Sequence, residues 1–259
     1  MPRRLHLAVL SLAVTAALFS PTAASAERWV GADGSGDVEG WHFAPEPEPC
    51  GAYTDIDATA NTNDDLTRLV VRHTRRDVHL TARFRDLDPA REQSVTLHLT
   101  SGSSRGWFFA INRYRAPSGK FRFLSILAKE PSYPDPEDIE DECGAFGFFV
   151  FGMSCRERFE VDLEANAIRA TVPRSCLKNP RWVRVGVTAN GHIAPKDPAD
   201  ETSVGFSDEW GSVDEATSPW LPAYGPKVRA PHGARVGSVG PAPAQASPHR
   251  RYVVSPRLP

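Results

Sequence analysis

The sequence predicts an all-β protein: an antiparallel β-sandwich, jelly-roll-like, of about nine strands and disulfide-bonded. Three observations predict it. Between residues 66 and 189 apolar side chains recur at every second position, and no segment there keeps a helical period. Turn signals divide this stretch into runs of roughly 5–8 residues, spaced about 10–15 residues apart. Four cysteines follow an N-terminal segment with the layout of an export signal.

The strands follow in order. Leu66 to His73 is a first run, closed by a turn at Arg75-Arg76-Asp77. Val78, Leu80, Ala82 and Phe84 then alternate with His79, Thr81, Arg83 and Arg85, the pattern of a half-buried strand. Val95, Leu97 and Leu99 repeat it. Trp107 to Ile111 is wholly apolar, and Phe121 to Leu127 is apolar on both faces, so both of its faces are expected to be covered. Ala145 to Phe151 is aromatic and apolar. Phe159–Leu163 and Ala167–Val172 flank Glu164-Ala165-Asn166, which reads as a hairpin turn. Pro173 to Leu177 is a tight connection, and Trp182, Val183, Val185 and Val187 form a last strong strand. This order excludes alternating βαβ units.

The flanks are weaker. Arg3 and Arg4, the apolar run Leu7–Phe19 and Ala24-Ser25-Ala26 mark residues 1–26 as a signal peptide with a small-x-small cleavage site. Residues 27–64 are turn-rich, with room for one short strand. Residues 190–225 read as a long connection that packs back as a partial strand or a cover. From 226 to 259, Pro, Gly, Ser and Ala dominate, as in a flexible tail. The expected organisation is one sandwich domain over 27–225 of a secreted, extracellular chain, with no membrane association after cleavage.

The formal charge is −2 and becomes about −4 without the signal segment. With no basic stripe visible, nucleic acid is not expected as a partner. The excess of arginine over lysine reads as coding bias. Cys50, Cys143, Cys155 and Cys176 all lie in the exported part, and no C-x-x-C occurs. Three pairings are open. Cys155–Cys176 is favoured because the two flank the expected hairpin, which leaves Cys50–Cys143.

No nucleophile elbow, H-E-x-x-H or phosphate loop is present. The candidates for chemistry are carboxylates. Asp33-Gly34-Ser35-Gly36-Asp37 is a glycine-flanked acidic turn, and Asp55-Ile56-Asp57 and Asp64-Asp65 precede the first clear strand. Hard cations take six to eight oxygens, so a structural Ca²⁺ held by Asp33, Asp37, Asp55 and Asp65 is the metal expectation, against ordinary Asx turns. Counted from Asp55 the pattern is not an EF-hand, since Ala60 and Leu66 stand where Gly and Glu are needed. Residues 135–142 form a dense acidic loop. His79 and His98 are expected as neighbours on one exposed surface of a hairpin. Trp41, Trp210 and Trp220 sit in loop-like contexts and are the candidates for stacking on a sugar, against a role in covering the sandwich ends.

Gly36-Asp37-Val38, the stretches Asp65–Thr74 and Val78–Leu87, and Val172–Leu177 followed by Pro180–Val187 resemble a group of uncharacterised secreted proteins from high-GC Gram-positive bacteria, as does Tyr224-Gly225-Pro226-Lys227-Val228-Arg229. More remotely the layout is similar to the sandwich of DOMON-like domains and family-nine carbohydrate-binding modules. That resemblance implies a jelly-roll-like fold with sugar or haem binding. No Met/His pair carries the haem ligands across, with Met153 the only methionine after residue 26.

The functional expectation is a secreted, non-catalytic β-sandwich binding module for an extracellular glycan or protein. The alternatives are an extracellular hydrolase with dispersed carboxylates, such as Asp55 with Asp138, and a purely structural or interaction protein.

Overall fold

The structure, a computed structural model, describes residues 26–45, 50–102, 106–134, 148–193, 202–210, 221–231 and 252–254. The signal segment before residue 26, the acidic loop 135–142, Cys143 and Trp220 lie outside the described residues. In chain order the strands are β1 (Glu27–Ala32), β2 (Glu39–Ala44), β3 (Ala52–Ile56), β4 (Leu66–His73), β5 (Asp77–Phe84), β6 (Glu92–Thr100), β7 (Trp107–Arg115), β8 (Phe121–Lys129), β9 (Phe148–Val150), β10 (Arg158–Asp162), β11 (Ala167–Pro173), β12 (Trp182–Ile193), β13 (Ser203–Trp210), β14 (Val228–Arg229) and β15 (Tyr252–Val254). A smaller sheet runs β1-β4-β5-β11-β10. A larger one runs β3-β2-β13-β12-β6-β7-β8, with β14 paired to the start of β12. Every pairing is antiparallel, and β9 pairs with β15 in a separate ribbon.

The two inner faces make one core, and the alternation dictates it. Val78, Leu80, Ala82 and Phe84 of β5 and Ile168, Ala170 and Val172 of β11 meet Val95, Leu97 and Leu99 of β6 and Val183, Val185, Val187 and Ala189 of β12. In β4 both Leu66 and Leu69 point inward, which a strict alternation forbids; a bulge between Leu66 and Arg68 supplies the extra residue. β7 and β8 are apolar on both sides because Phe108, Ala110, Ile126 and Ala128 form a second cluster on the outer face, with Val150 of β9 packed against them.

All nine expected strands are present, in a sandwich of antiparallel sheets. The flanks need correction. Residues 27–64 hold three strands, not one. Their alternation is hidden because glycine and tryptophan, not aliphatic residues, occupy the key positions: a Cβ at Gly31 would stand 2.2 Å from Trp210. The connection after 190 contains the complete strand β13. The segment read as tail from 226 begins with β14, where Val228 is buried in the main core and its carbonyl accepts from His73 Nδ1 at 3.0 Å. Burial holds His73 below its usual pKa, so the ring is neutral and donates. Packed structure therefore extends past residue 225.

Cys155 and Cys176 are joined and bracket the β10–β11 hairpin. Asn166 takes the left-handed conformation its turn requires (φ +48°), and the Ala165 N–H donates to Asp162 Oδ1 at 2.9 Å. Cys50 is also disulfide-bonded. Among the described residues no helix is long and apolar enough to cross a membrane.

Opening the 155–176 loop with Cys155→Ser should cost about 3 kcal/mol and lower Tm by about 5–10 °C. An unchanged melting curve would contradict the structural role of the bond. A chain ending at residue 225 should melt lower than one ending at 231, because only the second retains β14; equal Tm values would return the domain boundary to 225.

Candidate functional site

The loop after β1 leaves the smaller sheet and enters the larger one as β2, so Asp33-Gly34-Ser35-Gly36-Asp37 crosses the seam at one end of the sandwich. Local chemistry shapes it. Gly36 has φ +78°, which glycine adopts at little cost. A Cβ at Gly34 would sit 2.4 Å from Asp37 Oδ2, so only glycine lets the Asp37 carboxylate fold back over the loop.

The tandem pair Asp64-Asp65 serves two purposes. Asp64 turns inward and is fully engaged by Asn61 Nδ2 (2.9 Å), Asn63 Nδ2 (3.0 Å) and Gln93 Nε2 (3.3 Å). It lies so close to β12 that a Cβ at Gly191 would meet it at 2.1 Å. This network anchors the chain just before β4 and aims Asp65 at the acidic turn. Asp65 Oδ2 accepts from the Gly36 N–H at 2.8 Å and from Arg85 Nη1 at 3.4 Å.

From the other sheet comes Asp208, in the middle of β13. Phe206, Asp208 and Trp210 point inward while Ser207 and Glu209 point outward, so an acid occupies a core position. Its Oδ2 accepts the Leu66 N–H at 2.6 Å, across the seam. Asp37, Asp65 and Asp208 each place one oxygen within 4.8 Å of the others.

Asp33 adjoins this triad. Burial and the charges of Asp208, Asp37 and Asp65 push its pKa up to about 7, and burial and the charges of Asp37 and Asp65 push Asp208 up to about 6. Asp65 Oδ1 and Asp33 Oδ2 are buried with no hydrogen-bond partner. Arg85, half exposed, is the nearby guanidinium, so four carboxylates face one cation. Buried carboxylates in this position require a proton or a cation. A buried, unpartnered oxygen on each of Asp33 and Asp65, with the buried Asp208 and the exposed Asp37 beside them, suits a hard divalent ion with oxygen ligands.

Of the four residues expected at a metal, Asp37 and Asp65 lie in the triad, and Asp33 is beside it, within reach of its charges. Asp55 is not with them. It is exposed on β3, in register with Trp41, on the face of the sheet opposite Phe206. Asp208 stands in its place. Its signal in the sequence was the alternation Phe206-x-Asp208-x-Trp210, one acid in an apolar series.

The tryptophans also divide. Trp210 is buried: its ring meets Trp29 edge-on at 4.8 Å, and its Nε1–H donates to the Ala32 carbonyl at 3.1 Å. It closes the sandwich end and has no ligand face. Trp41 is half-buried on the outer face of β2, laid over Gly205. His79 and His98 are on different sheets, not on one hairpin; His98 is buried and contacts Glu130 at 2.7 Å, and Tyr133 donates to the same carboxylate. No family model, no curated protein and no solved structure matches the chain.

A carboxylate pKa raised in the fold favours the folded state below the unfolded pKa, and that advantage is lost as pH rises through the folded value. For Asp208 the loss is complete above about pH 6. In the presence of EDTA, Asp208→Asn should therefore gain in Tm relative to the unaltered chain as pH goes from 4 to 8, with the amide oxygen still able to accept the Leu66 N–H. A Tm difference that does not vary with pH would show that Asp208 is not under this strain.

Proposed function

We propose that this chain is a secreted, non-catalytic β-sandwich binding module whose seam holds a Ca²⁺ ion between Asp33, Asp37, Asp65 and Asp208. One observation carries the metal: Asp65 is fully buried, its Oδ1 has no partner, and Asp37 and Asp208 each bring an oxygen within 4.8 Å of its carboxylate. Calcium fits better than a smaller ion because the ligands come from separate segments, the β1–β2 loop, the start of β4 and β13, and calcium accepts irregular oxygen shells where magnesium demands a near-ideal octahedron. Bridging two sheets, the ion would stabilise the fold in the way a disulfide does. The disulfide at Cys155–Cys176 and the export-signal pattern of residues 1–26 support an extracellular site of action, where calcium is plentiful. The likeness to secreted proteins of high-GC Gram-positive bacteria belongs to the same reading. A binding role is favoured over a hydrolytic one because the clustered carboxylates are tied to backbone N–H groups and converge on one another.

Thermal unfolding tests this. At calcium about 100-fold above Kd the native state gains about 2.7 kcal/mol, and Tm should rise by about 5–10 °C over EDTA. Asp37→Asn and Asp208→Asn should abolish the rise, and Asp55→Asn should leave it whole. No rise in the unaltered chain, or a rise lost with Asp55, would overturn the assignment.

A further inference from the structure

The outer face of the smaller sheet is an arginine surface. In β1, β4, β5, β11 and β10 the outward positions form rows across the strands. One row reads Arg28, Arg72, His79, Thr171, Arg158 and another Ala32, Arg68, Arg83, Ala167, Asp162. With Arg169 between them, six arginines share the face. The carboxylates on it are Asp77 at the margin and Glu160 and Asp162, and these last two are both paired to Arg169, at 3.6 and 2.7 Å. Arg28, Arg68, Arg72, Arg83 and Arg158 are exposed and have no ion-pair partner among the described residues.

Two features set this apart from an ordinary solvated face. Arg28 stands directly opposite Arg72, and Arg68 directly opposite Arg83, an arrangement in which like charges repel. The chain as a whole has more acids than bases, 32 against 30, so the scarcity of carboxylates here is a matter of placement. Coding bias accounts for arginine in place of lysine; it does not account for the missing acids.

We propose that this face binds an acidic polysaccharide. The arginines span about 19 Å across the strands and about 13 Å along them, at intervals set by the hydrogen-bonded sheet. That geometry suits an extended polymer with regularly repeated carboxylates or sulfates, which the guanidinium fork grips in a bidentate manner. A shallow depression over β5, β11 and β10 is lined by His79, Thr81, Arg158, Arg169 and Glu160, the last paired to Arg169, and there His79 Nδ1 and Thr171 Oγ1 lie 3.2 Å apart and offer polar groups for hydroxyls. The face carries no Phe, Tyr or Trp to stack on the bases of a single strand, and no large exposed apolar residue to enter a membrane. The proposal takes from the reading above only that the chain is exported, and it does not depend on the cation site.

The test is binding of the purified chain to polygalacturonate in EDTA at about 50 mM salt, with neutral dextran, duplex DNA, poly-glutamate and phosphatidylglycerol vesicles as competitors. The expected result is saturable binding to polygalacturonate, weakened at least tenfold at about 300 mM salt. It should fall at least tenfold in the double variant Arg72→Glu, Arg83→Glu. Tm of that variant should be unchanged or higher, since two like-charge contacts are relieved, which separates lost binding from lost folding. Arg115→Glu and Arg122→Glu, away from this face, should bind as the unaltered chain does. Binding that is absent, unaffected by the double variant, or weaker than that to DNA, poly-glutamate or vesicles would overturn the proposal. If the calcium-induced rise in Tm persists while polygalacturonate fails to bind, the face is refuted and the cation site stands.

Discussion

The hydrogen bond from the Leu66 N–H to Asp208 joins the two sheets where the core ends, between residues 142 positions apart. Much else at this end depends on it. The bulge in β4 lets Leu66 enter the core immediately after Asp65, so that one step of backbone delivers both an apolar anchor and a carboxylate to the seam. Two residues beyond Asp208, Trp210 reaches back to the Ala32 carbonyl and fills the space that Gly31 leaves open. The acidic turn between Ala32 and Val38 is held between these two contacts. The carboxylates are thus brought together by the same contacts that close the sandwich, which is why an electrostatically costly cluster can persist in the fold.

What was legible in the sequence follows from this arrangement. Strands facing a large apolar core announce themselves: β5 and β12 are readable from Val78 to Phe84 and from Val183 to Val187 without further help. The Cys155–Cys176 bond was legible because both residues flank a hairpin whose turn has its own chemistry in Asp162 and Asn166. β1 to β3 were hidden. Their inward positions include Trp29, Gly31 and Gly40, which pair a large residue with an empty one instead of repeating aliphatic side chains. Asp208 was hidden for a related reason. Its neighbours in space, Asp37 and Asp65, lie far away in sequence, and only the pairing of β13 with β2 and β12 brings them together. Asp55 looked equivalent to Asp65, yet strand parity sends its side chain to the other face.

The basic face was hidden by the same parity. Along the chain, arginines are spaced among the aliphatic residues of β4 and β5, and the stretch from Arg68 to Arg85 reads as two alternating strands although it holds six arginines and one acid, Asp77. Folding sorts them. Inward positions collect the apolar residues, and outward positions of five adjacent strands collect the arginines. A net charge near zero therefore conceals a division into an acidic seam at one end and a basic surface on one side.

That division bears on why a metal ion, and not a proton, is the better neutraliser of the seam. Protonating Asp33 and Asp208 would remove two charges, at a pH already near neutral for these groups. A proton placed between two carboxyls satisfies at most a pair such as Asp33 Oδ2 and Asp65 Oδ1, and leaves the oxygens that Asp37 and Asp208 bring to the cluster outside that bond. A divalent ion satisfies several oxygens at once and carries enough charge to offset the excess that Arg85 leaves, since Arg85 is half exposed, shares its Nη1 between Asp65 and the Thr59 carbonyl, and pairs with no other carboxylate of the cluster. It would also tie the β1–β2 loop to both sheets. The smaller sheet, with its unpaired arginines repelling one another on the outside, would then be fastened to the larger one at the point where its first two strands, β1 and β4, meet the seam.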